Sequence, residues 1–275
     1  MKTKLLVPLL AACAALLAPA PGASAVGGFP TKGHWRPGPQ MAAWQWQLQG
    51  KLQLTAGASA YDIDGFESTV GDVRAIHRHR DKAICYLDVG SREEYRPDAG
   101  QFPRSVLGNR YEGFPEERWL DIAHFHEFAG IIEKRIEMCA RKRFDAVEPD
   151  NLAGWENQTG FPLTRADQLR YNRWIAKQVH RRGMAVALKN DPKQARQLVG
   201  DFDFAIVEQC FQYEECGYYK PFVEAGKAVF EAEYELPTSQ FCPQAEALDF
   251  SAIHKNVELF AEPWEPCDPL PESTG

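Results

Sequence analysis

The chain contains no Cys-x-x-Cys pair, which argues against a structural zinc site. It also lacks a Gly-rich turn after its first predicted strand, the phosphate cradle that a doubly wound sheet normally offers. Beyond residue 25 no apolar run is long enough to span a bilayer. Positive charge is scarce as well: 31 Lys and Arg stand against 38 Asp and Glu, a formal net charge of −7. That balance is a poor match to nucleic acid or to an anionic membrane surface, and it suits a cationic polymer. No internal repeat and no composition break divides the 275 residues. A single α/β barrel of roughly 200–250 residues fits within that length.

What is present begins at the N-terminus. Lys2 and Lys4 precede an apolar run from Leu5 to Leu17, and Ala23-Ser24-Ala25 supplies a small-residue cleavage site. Residues 1–25 are therefore expected to be a secretory signal peptide and the mature protein to be extracellular. Leu10-Ala11-Ala12-Cys13 looks like a lipoprotein box, but the apolar run continues past Cys13, so anchoring there is the weaker alternative. Losing residues 1–25 removes two lysines and no acid, which takes the charge from −7 to −9. Six cysteines remain, and an even number in an exported chain favours disulfides. Cys210 and Cys216 flank one short loop and form the first expected pair; Cys242 with Cys267 is the second, and Cys85 reads as a buried free thiol. Residues 26–43, rich in Gly and Pro, form an extended lead-in to a domain over 44–275, expected to be monomeric.

Within that domain eight short apolar segments read as strands: 44–48, 60–65, 83–90, 144–150, 184–190, 204–210, 227–234 and 256–261. Helical patterns separate most of them, with Thr164 and Asp167 at capping-box spacing before one helix and a last helix expected over 244–255. Residues 91–115 read as a long polar loop and 115–141 as mostly helix. Strands alternating with helices imply a parallel sheet, and eight of them is the count of a closed (β/α)₈ TIM-type barrel.

The chain is organised around Phe144-Asp145-Ala146-Val147-Glu148-Pro149-Asp150-Asn151. It reads as a strand ended by Pro149, with Glu148 and Asp150 two residues apart and so directed to one side. Other predicted strands also end in ionisable residues: Asp62 and Asp64, Asp88, Lys189 and Asp191, Glu208, Glu231 and Glu233. Taken singly, each acid is more simply a solvated loop residue. Taken together, they converge on one pit at the mouth of a barrel. Carboxylates with one lysine and no metal-type cluster suit acid–base chemistry without a cofactor. Glycoside cleavage needs two carboxyl groups, and Asp150 with Glu208, from the fourth and sixth strands, is the pair placed to face across a sugar.

These segments resemble glycoside hydrolase family 114. The resemblance is carried by Tyr61-Asp62-Ile63-Asp64, the stretch from Tyr86 to Gly90, Glu117-Arg118-Trp119-Leu120-Asp121-Ile122 and Glu148-Pro149-Asp150-Asn151. It extends to Thr159-Gly160-Phe161, Leu188-Lys189-Asn190-Asp191 and Val207-Glu208-Gln209-Cys210, covering roughly residues 43–265. It implies a (β/α)₈ endo-α-1,4-polygalactosaminidase acting on cationic or partly N-acetylated galactosamine polysaccharide, with Asp150 as nucleophile and Glu208 as acid/base. A departure is Asn157-Gln158-Thr159, which also forms a glycosylation sequon. Asp62, Asp64 and Glu233 are expected to bind sugar ammonium groups. Lys189 would contact hydroxyls or keep Asp150 ionised, with a salt bridge to Asp191 or Glu148 as an equal alternative. Trp46, Tyr86, Trp155 and Tyr234 are candidates for stacking on sugar faces, and Asp88, Glu148 and Glu231 for further substrate contacts. His124 and His126 read as surface residues, and the preferred mechanism retains configuration. A barrel hydrolase for another α-linked glycan, or a non-catalytic polysaccharide-binding barrel, would share these features.

Overall fold

A computed structural model describes residues 33–39 and 43–267. The expected signal peptide, its cleavage site, Cys13 and most of the lead-in lie outside them. Strands β1 (Trp44–Gln47), β2 (Ala60–Asp64) and β3 (Lys82–Asp88) open the barrel. An antiparallel insertion follows, made of β4 (Ser91–Glu93), β5 (Leu107–Tyr111) and β6 (Phe114–Leu120). The barrel resumes with β7 (Ala146–Asp150), β8 (Ala185–Lys189), β9 (Phe204–Glu208), β10 (Val229–Glu233) and β11 (Ser251–His254), and β12 (Glu265–Pro266) ends the described chain. The sheet order is β1-β2-β3-β7-β8-β9-β10-β11-β12, all parallel except β12. This is a (β/α)₈ barrel.

The strands are buried nearly end to end, which is why they read as continuous apolar runs with acids only at their C-terminal ends. The seam between β1 and β11 is closed by side chains and by the C-terminal segment. Trp44 Nε1 donates to Ser251 O at 2.9 Å, and Trp264 Nε1 donates to Trp44 O at 2.8 Å. At the N-terminal ends of the strands, Trp35 of the lead-in packs against Phe204 and Phe230. The helices α1 (Val70–Arg78), α2 (Ala129–Lys142), α3 (Arg165–His180), α4 (Ala195–Leu198), α5 (Lys220–Glu224) and α6 (Thr238–Ala247) connect the parallel strands. Both α1 and α3 begin with a complete capping box, Thr69/Asp72 and Thr164/Asp167. Helix α2 buries Ile131, Ile132, Ile136 and Cys139, each aliphatic side chain worth about 1.5–3 kcal/mol on full burial.

Four expectations are corrected. The eighth strand is Ser251–His254, and the helix before it ends at Ala247; residues 256–261 form a loop whose Val257 and Phe260 are exposed. The stretch read as loop and then helix, 91–120, is the antiparallel insertion. Its charged sequence hides the period of two because only one face is covered. Pro149 does not end β7: the register continues through Leu87↔Pro149 and Asp88↔Asp150. The proline forfeits one ladder donor, and its fixed φ is otherwise compatible with extended backbone. Finally, Cys85 is not a free thiol but is bonded to Cys139, tying β3 to α2; the other two pairs are Cys210–Cys216 and Cys242–Cys267 as expected. Replacing Cys85 and Cys139 by Ser should lower the unfolding free energy by about 4 kcal/mol on the chain-entropy scale, measurable by urea denaturation of oxidised wild type against the variant.

Candidate active site

Three adjacent strands, β7, β8 and β9, each end in an ionisable residue: Asp150, Lys189 and Glu208. Each is followed at once by a non-glycine residue in the left-handed region: Asn151 at φ 63°, Asn190 at 50° and Gln209 at 53°. Such backbone is costly and persists only where packing imposes it. Here it turns the chain so that the loop reaches back to the strand end. Asn151 N donates to Asp150 Oδ1 at 2.8 Å, and Asn190 Nδ2 donates to Glu208 Oε2 at 3.1 Å.

Lys189 is the hub. Its Nζ lies 3.1 Å from Glu148 Oε1, 3.0 Å from Asp150 Oδ1 and 3.1 Å from Glu208 Oε2, with the side chain only 3% exposed. The indole of Trp46 lies against the same ammonium, 4.9 Å from the ring centroid. Tyr86 donates its hydroxyl to Asp150 Oδ2 at 2.9 Å, and Tyr234 donates to Glu208 Oε1 at 2.5 Å. Burial would raise the Asp150 carboxyl, but the Lys189 ammonium, the Tyr86 hydroxyl and the Asn151 amide outweigh it and hold Asp150 below its ordinary value. Burial would likewise lower Lys189, and Asp150, Glu208 and Glu148 together push it well above the usual lysine range. Lys189 thus keeps Asp150 ionised and pairs with Glu148 as well; Asp191 is instead held by Trp155 and Asn172.

Behind this trio lie buried acids in neighbouring pairs. Asp62 and Glu148 are fully buried and face each other; burial and their mutual repulsion raise Asp62 well above the usual range, while burial, opposed by Lys189, raises Glu148 to about 7. Glu231 and Glu233 form a second such pair on β10, with Glu231 raised by burial and by Glu233. Glu233 Oε1 accepts from Phe211 N at 2.9 Å and Gln212 N at 3.2 Å, fastening the loop after β9. Asp88, also buried, accepts from Gly90 N, Ser91 N, Ser91 Oγ and Asn151 Nδ2. Gly90 is required there, since a Cβ would sit 1.9 Å from Asn151 O.

A cleft of about 1090 Å³ opens over the trio. Tyr86, Asp150, Lys189 and Glu208 line its floor, and Asp64 its wall. Asp64 accepts both Arg96 guanidinium nitrogens at 3.0 and 2.6 Å, so its charge is already matched. Asp62, Asp88, Glu148, Glu231, Glu233 and Tyr234 sit behind the lining. The expectation that Asp62 and Glu233 bind ammonium groups therefore does not fit: both are wholly buried behind the lining. Trp155 also lies off the cleft, stacked under Arg165. Trp46 and Tyr86 do line the cleft, and further aromatic surface comes from the insertion, where Tyr111 stacks on Trp119 at 4.6 Å beside Phe114, and from Phe260 on the loop after β11. Trp119 belongs to a motif that carries the family resemblance, but none of these last four is a candidate site residue from sequence, because 91–120 and 256–261 fold as other elements than their patterns suggest. His124 and His126 are exposed as expected.

Among the described residues the group with metal-type donors is His34, His180 and Asp203. Both imidazole nitrogens are engaged with the carboxylate, at 2.8 and 2.7 Å, where they fasten residues 33–39 to the barrel.

Residues 29–269 match the model of glycoside-hydrolase family GH114. The chain belongs to this family. It is a GH114 glycoside hydrolase, and its solved relatives share the barrel. Ega3 of Aspergillus fumigatus, solved in complex with galactosamine, is 33% identical with a TM-score of 0.79, over 86% of this chain and 98% of that one. The glycoside hydrolase domain of PelA from Pseudomonas aeruginosa shares the fold at 14% identity and a TM-score of 0.62, over 81% of this GH114 chain and 96% of that domain. No curated protein sequence matches.

Proposed function

We propose that this GH114 hydrolase is a secreted enzyme that cleaves α-1,4-linked galactosamine polymers, of the galactosaminogalactan type, within the chain and with retention of configuration. Asp150 is the nucleophile and Glu208 the acid/base. The observation that carries this reading is that Asp150 and Glu208 contact the same Lys189 ammonium on the floor of one cleft. Their nearer oxygens can be no farther apart than those two contacts laid end to end, about 6 Å. That supports retention, for which roughly 5–5.5 Å is usual against about 6.5–9.5 Å for inversion. An ionised Asp150 is ready to attack the anomeric carbon. Glu208, held by Tyr234, Asn190 and Lys189, protonates the leaving oxygen and then takes a proton from the water that releases the sugar. The galactosamine bound to the related Ega3 supports the choice of sugar, and the acidic site suits a cationic chain. Three disulfides support the reading of export, with residues 1–25 as signal peptide and 44–275 as the hydrolase domain.

Mass spectrometry of digests of galactosamine and N-acetylgalactosamine polymers tests the proposal: shortened oligomers are expected, and unchanged polymer would refute it. Glu208→Gln should lower kcat on polymer by roughly 10²–10⁴-fold. The same variant should recover most of its first-step rate on an aryl glycoside whose leaving group needs no proton.

A further inference from the structure

Three of the six acids that line the cleft are already paired with a cation, and of the other three Glu116 and Glu258 are on the rim while Glu117 is partly buried against β4. Asp64 is held by Arg96, and Asp150 and Glu208 by Lys189. Glu117, on β6 of the insertion, lines the same cleft, and among the described residues no Lys, Arg or His lies within ion-pair distance of it. Glu93, directly across from it on β4, is matched by Arg96 at 2.7 Å. Glu117 is not loose: its Oε2 lies 2.8 Å from Ser91 Oγ, which in turn lies 2.5 Å from Asp88 Oδ2. One hydroxyl hydrogen cannot serve both contacts. Ser91 can donate to only one of the two carboxyls, so the other must carry a proton: Asp88, Ser91 and Glu117 form a chain that holds one shared proton, and burial beside other acids raises both carboxyls.

We propose that Glu117 is the specificity residue that receives the ammonium group of a galactosamine unit in the cleft, an inference that rests on the function proposed above. Ser91 and Asp88 orient the carboxyl, and the incoming ammonium displaces the proton that this chain shares. Burial, with Glu93 and Asp150 nearby, raises the Glu117 carboxyl to about 7, so the exchange falls in the neutral range. The groups facing it are Asp88 from β3, Ser91 and Glu93 from β4, and Asp150 from β7. A neutral N-acetyl group offers no charge to this carboxyl, so the site favours the deacetylated unit.

Kinetics of Glu117→Gln on fully deacetylated and fully N-acetylated oligomers test the inference. A roughly ten- to hundredfold rise in KM on the deacetylated substrate is expected, with the loss falling on KM rather than kcat and the acetylated substrate little affected. Glu117→Asp should restore part of the preference. Equal losses on both substrates, or a loss confined to kcat, would overturn the assignment of Glu117 while leaving the glycosidase proposal standing. A crystal structure of the wild-type enzyme with galactosamine needs no variant: the sugar nitrogen within hydrogen-bond distance of Glu117 supports the inference, and a nitrogen placed elsewhere overturns it. Failure of the wild type to cut any galactosamine polymer would overturn the proposed function and this inference with it.

Discussion

Asp150→Asn should leave the barrel folded and lower kcat by on the order of 10⁴-fold or more, the scale seen when a nucleophilic machinery loses a member. The fold should tolerate the change because Asn keeps the shape and can still accept from Tyr86 or from Asn151 N. What it loses is the negative charge that Lys189 protects and the oxygen that would bond to the anomeric carbon. Asp150→Gly tests the role more sharply. Azide entering the vacated space from the face opposite the leaving group would give a β-configured glycosyl azide, identifiable by NMR. Such rescue at position 150 but not at position 208 would fix the division of labour between the two acids. Full activity of Asp150→Asn would end the assignment.

Lys189→Met should destabilise the protein by about 3–5 kcal/mol at neutral pH, because removing one partner of a buried ion group strands the others. The stranded groups are Glu148, Asp150 and Glu208, all within 3.1 Å of the lost ammonium. The sign with pH follows from linkage. In the wild type the folded Asp150 carboxyl lies below its unfolded value, so its stabilising contribution is present at neutral pH and lost as the pH falls through the folded value. Lys189 lies above its unfolded value, so its contribution is complete at neutral pH and fades only in strong alkali. Without Lys189 the carboxyls are raised instead, and the folded state then binds more protons than the unfolded one. The variant should therefore lose less stability at pH 5 than at pH 8, as read from urea midpoints. A variant equally destabilised at both pH values, or as stable as wild type, would contradict the hub role. Activity should fall with it, since Asp150 would no longer be ionised at neutral pH.

Much of this arrangement was legible in the chain. The strand-end positions of Asp150, Lys189 and Glu208 follow from apolar runs that stop at an ionisable residue, and parallel strands place such residues at one mouth. The capping box of α3 is a local signal of the same kind. The insertion was not legible. The charge of residues such as Glu116 and Arg118 masks the alternation of the small sheet that Glu117 and Trp119 belong to. With the insertion went Tyr111, Phe114, Trp119 and Glu117, the aromatic wall and the proposed amine site.

Local pattern therefore determined the barrel and the strand-end positions of Asp150, Lys189 and Glu208, because strand period, apolar continuity and termination act over a few neighbouring residues. Tertiary contact decided what each acid does. Asp62, Asp64, Glu117, Asp150 and Glu233 are all carboxylic acids near strand ends or on the insertion, and nothing local separates them. One pairs with Lys189, one with Arg96, two are buried beside another carboxyl, and one faces the cleft without a cation. Charge state depends on burial and on partners tens of residues away, and only the folded chain brings those together.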